Sequence, residues 1–247
     1  MAEQPETSPW AQSPVLIQTP GPPENKFPSF SGLITKTTLV VRNQTIHIVR
    51  PADPDHLLDD PQVLAWNRQD DYMPYWAYLW PGAYLLAEAV VSEPWQPETP
   101  ALEIGCGLGL AGLVALARGL RVTFTDYDES PFRCIHQSAD ANGFPSSSFC
   151  TRLLDFRNLP SETFPIILGA DILYEQRLVP LVANLLARTL APTPGALALI
   201  AGPYRMAAEA FPAQVRSLGL LCESLPITSQ TQAVGLLRGT LHRITRP

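Results

Sequence analysis

The sequence has no surplus of positive charge. Its 247 residues carry 17 lysines and arginines against 23 aspartates and glutamates, a formal net charge of −6. Nucleic-acid binders usually present a basic face, so no RNA or DNA partner is expected. Cysteine is sparse: Cys106, Cys134, Cys150 and Cys222 form no CxxC pair and no disulfide-like spacing, which reads as the buried, reduced thiols of a cytosolic protein. The four histidines, His47, His56, His136 and His242, are scattered without metal-ligand spacing, and no metal is expected. The opening MAEQPETSPW lacks a basic region followed by an apolar run, so no signal peptide is read there. The longest apolar runs, such as Leu178 to Leu190, are interrupted and too short to span a bilayer. The expectation is a cytoplasmic protein without a membrane partner.

What is present is globular: 46% hydrophobic and 16% charged residues, at a length suited to one domain with extensions. Proline is abundant, 26 residues, about twice the average usage. Seven fall between Pro5 and Pro28 with little apolar sequence around them. Residues 1–30 are therefore expected to form a disordered tail. Residues 31–98 follow with two β-branched runs, LITKTTLVV and TIHIV, separated by Arg42-Asn43-Gln44, which reads as a β-hairpin. PADPDHLLDD has turn and short-helix chemistry. PYWAYLWPG, residues 74–82, packs four aromatic rings into nine positions. A helix over Gly82 to Ser92 follows, with Pro81 in its first turn.

Residues 99–247 alternate strand and helix. ALEIG, RVTFTD, SFCTRLLDF, FPIILGAD and GALALIAG read as strands, separated by helical stretches. RMAAEAFPAQVRSLG reads as a helix kinked or capped around Pro212. That alternation implies an α/β, doubly wound, mostly parallel sheet with helices on both faces. LLCESLPI and AVGLLRGTLHRI are joined by the polar turn Thr228 to Gln232 and must pair antiparallel, because a parallel pair needs a crossover.

LEIGCGLGLAG is the most informative stretch. Gly107, Gly109 and Gly112 satisfy G-x-G-x-x-G, and Asp126 follows Gly107 by 19 residues at the end of the second core strand. That spacing alone fits a dinucleotide site. Glu103 argues otherwise: a carboxylate beside Gly105 would repel a pyrophosphate and attract a cation; the plain alternative for Glu103 is a solvated or helix-capping acid. S-adenosylmethionine carries an ammonium and a sulfonium, has no phosphate, and keeps a ribose for Asp126. Tyr127 would pack near the adenosine. Asp155 can accept from the adenine amine while Phe156 covers the base; the plain alternative for Phe156 is core packing. GADILY leaves its strand with Asp171 and Tyr174 three residues apart, both able to face the methyl group. Asp171 can bind an acceptor ammonium, with Tyr174 as hydrogen-bond partner; the alternative is a strand-end acid capping a turn. The absence of N-P-P-Y disfavours base methylation.

With these motifs the chain resembles the class I, seven-stranded S-adenosylmethionine methyltransferases, specifically methyltransferase family 16 and the nicotinamide N-methyltransferase-like proteins. PYWAYLWPGA is similar to the family's tryptophan-bearing segment, LEIGCGLG to its first cofactor motif, LLDF to its adenine-side motif and GADILY to its acid-x-x-tyrosine motif. The resemblance covers roughly Leu33 to Ile244. It implies a Rossmann-like seven-stranded sheet with an antiparallel C-terminal strand, behind an N-terminal hairpin extension. It also implies that the Trp76–Trp80 region folds over the cofactor with Trp80 in direct contact, the alternative being that these rings pack the hairpin onto the sheet. Gly105, Gly107 and Ala170 are implied to line the site. The acceptor it implies is lysine in a protein; the alternative is small-molecule N- or O-methylation. PYWAYLWPG and AGPYR lie nearest to the lysine methyltransferases of the electron transfer flavoprotein β subunit. Two departures stand against carrying that substrate over: Phe156 where tryptophan is common, and GPYR where that subgroup has glycine-aspartate-proline. Other classes kept open are a nicotinamide-dependent oxidoreductase and a non-catalytic cofactor-binding module. The oligomeric state is not read from the sequence.

Overall fold

A computed structural model describes residues 32–70, 72–231 and 234–247. The expected tail over residues 1–30 lies outside the described residues. The chain begins with the hairpin β1 (Ile34–Val41) and β2 (Gln44–Pro51), fully paired from Ile34↔Pro51 to Val41↔Gln44. Its tight turn puts Arg42 at φ 52.

A 3-10 turn, Asp55–Asp59, leads into a helix that the sequence reading did not foresee, α1 (Pro61–Asp70). Asp60 starts it, accepting from the Gln62 N–H at 2.7 Å, and Pro61 supplies a first residue with a preset φ. The aromatic segment follows, then α2 (Pro81–Ser92).

The core runs β3 (Pro100–Ile104), α3 (Leu110–Ala117), β4 (Arg121–Asp126), α4 (Ser130–Ala141), β5 (Phe149–Leu153), β6 (Ile166–Ala170), α5 (Leu178–Thr189), β7 (Leu197–Pro203), α6 (Phe211–Ser217), β8 (Leu221–Thr231) and β9 (Gly235–Thr245). The seven-stranded sheet has the order β5-β4-β3-β6-β7-β9-β8. β9 is antiparallel to both neighbours, β7 and β8, and the other pairings are parallel. The fold is a Rossmann-like, mostly parallel seven-stranded sheet behind an N-terminal hairpin.

Two details differ from the expectation. The helix around Pro212 is shorter than expected, with proline in its first turn, as in the capped alternative, and is preceded by a separate 3-10 turn at Met206–Ala208. β8 runs through Thr228–Thr231, where a turn was expected, because those residues pair with Gly235–Arg238.

Alternation along the strands splits the core in two. Ala101, Leu168, Leu199 and Ala201 pack with α2, α3 and the hairpin. Leu102, Ile104, Ile167, Ala198 and Ile200 pack with α5 and α6. The chain leaves β3 in one direction towards β4 and β5, and places β6 on β3's other side. Ligands of open α/β sheets bind at this switch point, outside the carboxyl ends of the strands.

Candidate active site

β3 delivers the chain into a loop held open by glycine. Gly105, Gly107 and Gly109 have φ of +59°, +49° and +71°, a region that side chains with a Cβ rarely adopt. The surroundings are also close. A Cβ on Gly105 would lie 2.8 Å from Ile172 Cγ2 and 3.4 Å from Phe156 Cζ; one on Gly107 would lie 3.4 Å from the Trp76 carbonyl oxygen. The loop is thus pressed between the stretch after β6 and the backbone of the aromatic segment.

Two buried acids hold the loop from below. Glu103, 2% exposed, accepts from the Gly112 N–H at 3.1 Å. Asp126, 6% exposed, accepts from the Gly107 N–H at 2.9 Å and from the Asp128 N–H at 3.2 Å. Burial pushes Glu103 up to about 8 and Asp126 up to about 7. In a dinucleotide loop such N–H groups face a pyrophosphate. Here two of them already face acid side chains and are not free to bind a diphosphate, so the floor suits hydroxyls or a cation, whose charge would draw both acids towards their ionised forms. That donor set fits S-adenosylmethionine.

Above the floor lies a cavity of about 600 Å³. Every residue singled out from the sequence, Trp80, Glu103, Gly105, Gly107, Asp126, Tyr127, Asp155, Phe156, Ala170, Asp171 and Tyr174, lines it. The aromatic segment forms its roof, and its rings divide between two jobs. Trp76 is buried in the core, and the Tyr72 hydroxyl donates to buried Asp128, tying the roof to the turn after β4. Tyr75, Tyr78 and Trp80 cluster at the cavity: Trp80 meets Tyr75 edge-on at 5.8 Å and Tyr78 at 5.7 Å, and its Nε1–H donates to the Tyr75 carbonyl at 2.8 Å. Tyr75 also meets Tyr174 edge-on at 5.6 Å. Trp80 is 37% exposed.

At the mouth each acid has an arginine. Asp155 pairs with Arg157 through Nε–H contacts of 2.9 Å to both carboxylate oxygens, so an adenine amine would share this acid. Glu175 pairs with Arg177. Asp171 pairs with Arg205, Nη2 to Oδ1, at 3.0 Å. The other Asp171 oxygen accepts the Gly82 N–H at the start of α2. Asp171 is thus both a cap on α2 and an acid at the cavity wall, whereas the alternative read from the sequence was a cap on the turn that follows it. Its backbone is held at φ 54, with its N–H donated to the Ala201 carbonyl at 2.9 Å. Gly82 is required by this approach: a Cβ there would lie 2.6 Å from Asp171 Oδ2 and 2.9 Å from the Ala201 oxygen. Burial, with the charges of Glu175 and Asp126, pushes the Tyr174 hydroxyl up to about 12. It stays protonated at neutral pH.

Sequence reasoning missed three participants. Arg205 lay inside the quoted AGPYR but was given no role. Tyr72 and Gly82 act through partners 56 and 89 residues away, beyond the reach of a local motif.

The profile of a family described as "Lysine methyltransferase" matches residues 77–211, more than half of the chain. The chain belongs to this family, methyltransferase family 16. The family's description names methyl transfer as its reaction class. A relative named histone-arginine methyltransferase METTL23, from Rattus norvegicus, is 32% identical over 134 residues, 50% of this chain and 55% of that protein. A histidine protein methyltransferase 1 homolog from Dictyostelium discoideum is 37% identical over 93 residues, 34% of this chain and 30% of that protein. The matches therefore span about half or less of these relatives. A TehB-like S-adenosylmethionine-dependent methyltransferase structure from Corynebacterium glutamicum superposes with a TM-score of 0.51 at 16% identity, over 79% of this chain and 100% of that one. That likeness shows the fold. Among the described residues, no helix is long and apolar enough to cross a membrane.

Proposed function

We propose that this chain is a protein N-methyltransferase whose acceptor is a lysine side chain, brought to the methyl group beside Asp171 and Tyr174. The observation that carries this reading is the cation already seated on Asp171: the Arg205 guanidinium, 3.0 Å from Oδ1 at the wall of the cavity. A carboxylate that holds one side-chain cation there can hold another. The names of the two relatives, both protein methyltransferases, support a protein acceptor.

In this reading Glu103 and the glycine loop hold the methionine end of the donor, and Asp126 accepts from its ribose hydroxyls. Asp155, Phe156 and Tyr127 surround the adenine side, with Gly105, Gly107 and Ala170 giving close backbone approach. Trp80 covers the methionine or sulfonium end. The bound donor supplies an electrophilic methyl on a cationic sulfur. The chain's own contribution is alignment and exclusion of water. An acceptor ammonium binds Asp171 and gives up a proton to solvent at the cavity mouth. Its lone pair then attacks the methyl carbon as the carbon–sulfur bond breaks and the sulfur leaves as a neutral thioether. Tyr174, protonated, orients the amine by hydrogen bonding and does not serve as the base.

Radiolabelled S-adenosylmethionine incubated with the purified protein and a lysate of its source cells tests this directly. Label is expected in protein bands, released by acid hydrolysis as methyl-lysine. Label in methyl-arginine or methyl-histidine would replace lysine as the acceptor, and label confined to small molecules would remove the protein acceptor altogether.

A further inference from the structure

Asp171 cannot turn away from its present position. One oxygen is fixed by the Gly82 N–H, its own N–H is fixed by Ala201, and its side chain is 7% exposed. Arg205 differs. It reaches the carboxylate through a single Nη2 contact at 3.0 Å, and its side chain is 36% exposed. It leaves the end of β7 just ahead of the short 3-10 turn Met206–Ala208, where Tyr204 and Met206 are 66% and 82% exposed. It also lines two cavities: the one described above and a second of about 370 Å³, walled by Pro203, Met206, Glu209 and His242. The Asp171–Arg205 pair is shared by the walls of both.

We propose that Arg205 is a built-in competitor for the acceptor. Its guanidinium occupies the carboxylate until an incoming side-chain ammonium displaces it towards the second cavity. This rests on the lysine reading above and deepens it. Arg205 then sets acceptor specificity without touching the methyl group: a cation that cannot outcompete a tethered guanidinium is refused. The geometry suits exchange. A one-point ion pair with a solvent-exposed cation is weak, whereas a bidentate, buried one would be a fixed part of the wall.

The test uses the protein saturated with S-adenosylhomocysteine and, as acceptor probe, Nα-acetyl-lysine methylamide, whose only charge is the side-chain ammonium. Arg205→Gln is expected to bind the probe about ten-fold more tightly than the wild type, while Arg205→Lys, which keeps a tethered cation, stays near the wild type. In Arg205→Ala, low-millimolar guanidinium chloride, matched against sodium chloride for ionic strength, is expected to weaken probe binding back towards the wild-type value. Equal affinity in wild type and Arg205→Gln, with binding still lost in Asp171→Asn, would overturn the competitor role and leave the acceptor site standing. Tighter probe binding on addition of guanidinium would also overturn it, because Arg205 would then position the carboxylate for the acceptor. If none of these proteins binds the probe while all bind S-adenosylhomocysteine, the lysine reading itself falls, and the competitor role with it.

Discussion

The floor and the mouth of the cavity are both acidic, yet only the mouth adds arginine side chains to its acids. Glu103 and Asp126 on the floor are buried and accept from backbone N–H groups of the glycine loop and its helix. Asp155, Asp171 and Glu175 at the mouth are matched by Arg157, Arg205 and Arg177. Backbone donors are fixed by the fold, and they hold their acids in place whatever the cavity contains. Arginine side chains can leave. A floor of that kind is preorganised for one ligand, whereas a mouth of that kind can change partners when an acceptor arrives.

The largest expected separation between the two regions comes from Asp171→Asn. The substitution keeps an acceptor for the Gly82 N–H but removes the charge that holds a cation. Turnover should fall by on the order of 10²-fold with the donor saturating, as for a lost acid–base or orienting group. S-adenosylhomocysteine affinity, set by the floor, should be unchanged within about two-fold. Normal turnover in this variant would reduce Asp171 to a cap on α2.

A smaller effect is expected where roof and mouth meet. Trp80→Ala removes a half-exposed ring that packs on Tyr75 and Tyr78. S-adenosylhomocysteine binding, measured by calorimetry, should weaken by about 1–2 kcal/mol, the scale of one cation–π or aromatic cover, with the sheet intact by circular dichroism. Loss of the folded state without a binding defect in any folded fraction would make the ring structural.

The smallest effect is a pH dependence that belongs to the floor alone. Glu103 and Asp126 have folded values of about 8 and about 7, raised above those of an unfolded chain, so the folded protein binds more protons than the unfolded one. Stability must then fall as pH rises through those values. His242, whose buried ring is lowered to about 4, opposes this only below about pH 6.5. Between pH 6.5 and 8 the melting temperature of the ligand-free protein should therefore drop, by about 2–4 °C for each kcal/mol lost. A flat or rising melting temperature over that window would mean that the two acids are ionised in the folded state.

The floor was far more legible in the sequence than the mouth. Glu103, the glycines and Asp126 sit on one strand–loop–helix–strand unit, where spacing alone fixes their neighbourhood. The sheet was legible because its strands are short, apolar and bounded by turn chemistry. Helix α1 was missed because it has almost no apolar stripe: among its described residues only Val63 is buried, and its caps at Asp60 and Pro61 were the sole local signal. The end of β8 was misread because Thr228–Gln230 are polar, while strand pairing with β9 outweighs that composition. Arg205 on Asp171 joins residues 34 positions apart, on the ends of two neighbouring strands, and no local pattern encodes such a pair.

The central claim is that the Glu103 and Asp126 side chains, by occupying N–H groups of the glycine loop and its helix, make the floor a site for a cationic, phosphate-free ligand. Calorimetric titration of the purified protein with S-adenosylhomocysteine and with NAD, under identical conditions, tests it most directly. The account predicts one-to-one binding of S-adenosylhomocysteine, carrying a melting-temperature rise equivalent to about 2.7 kcal/mol at a hundred times its dissociation constant, and no heat with NAD. Saturable binding of NAD without binding of S-adenosylhomocysteine would contradict it.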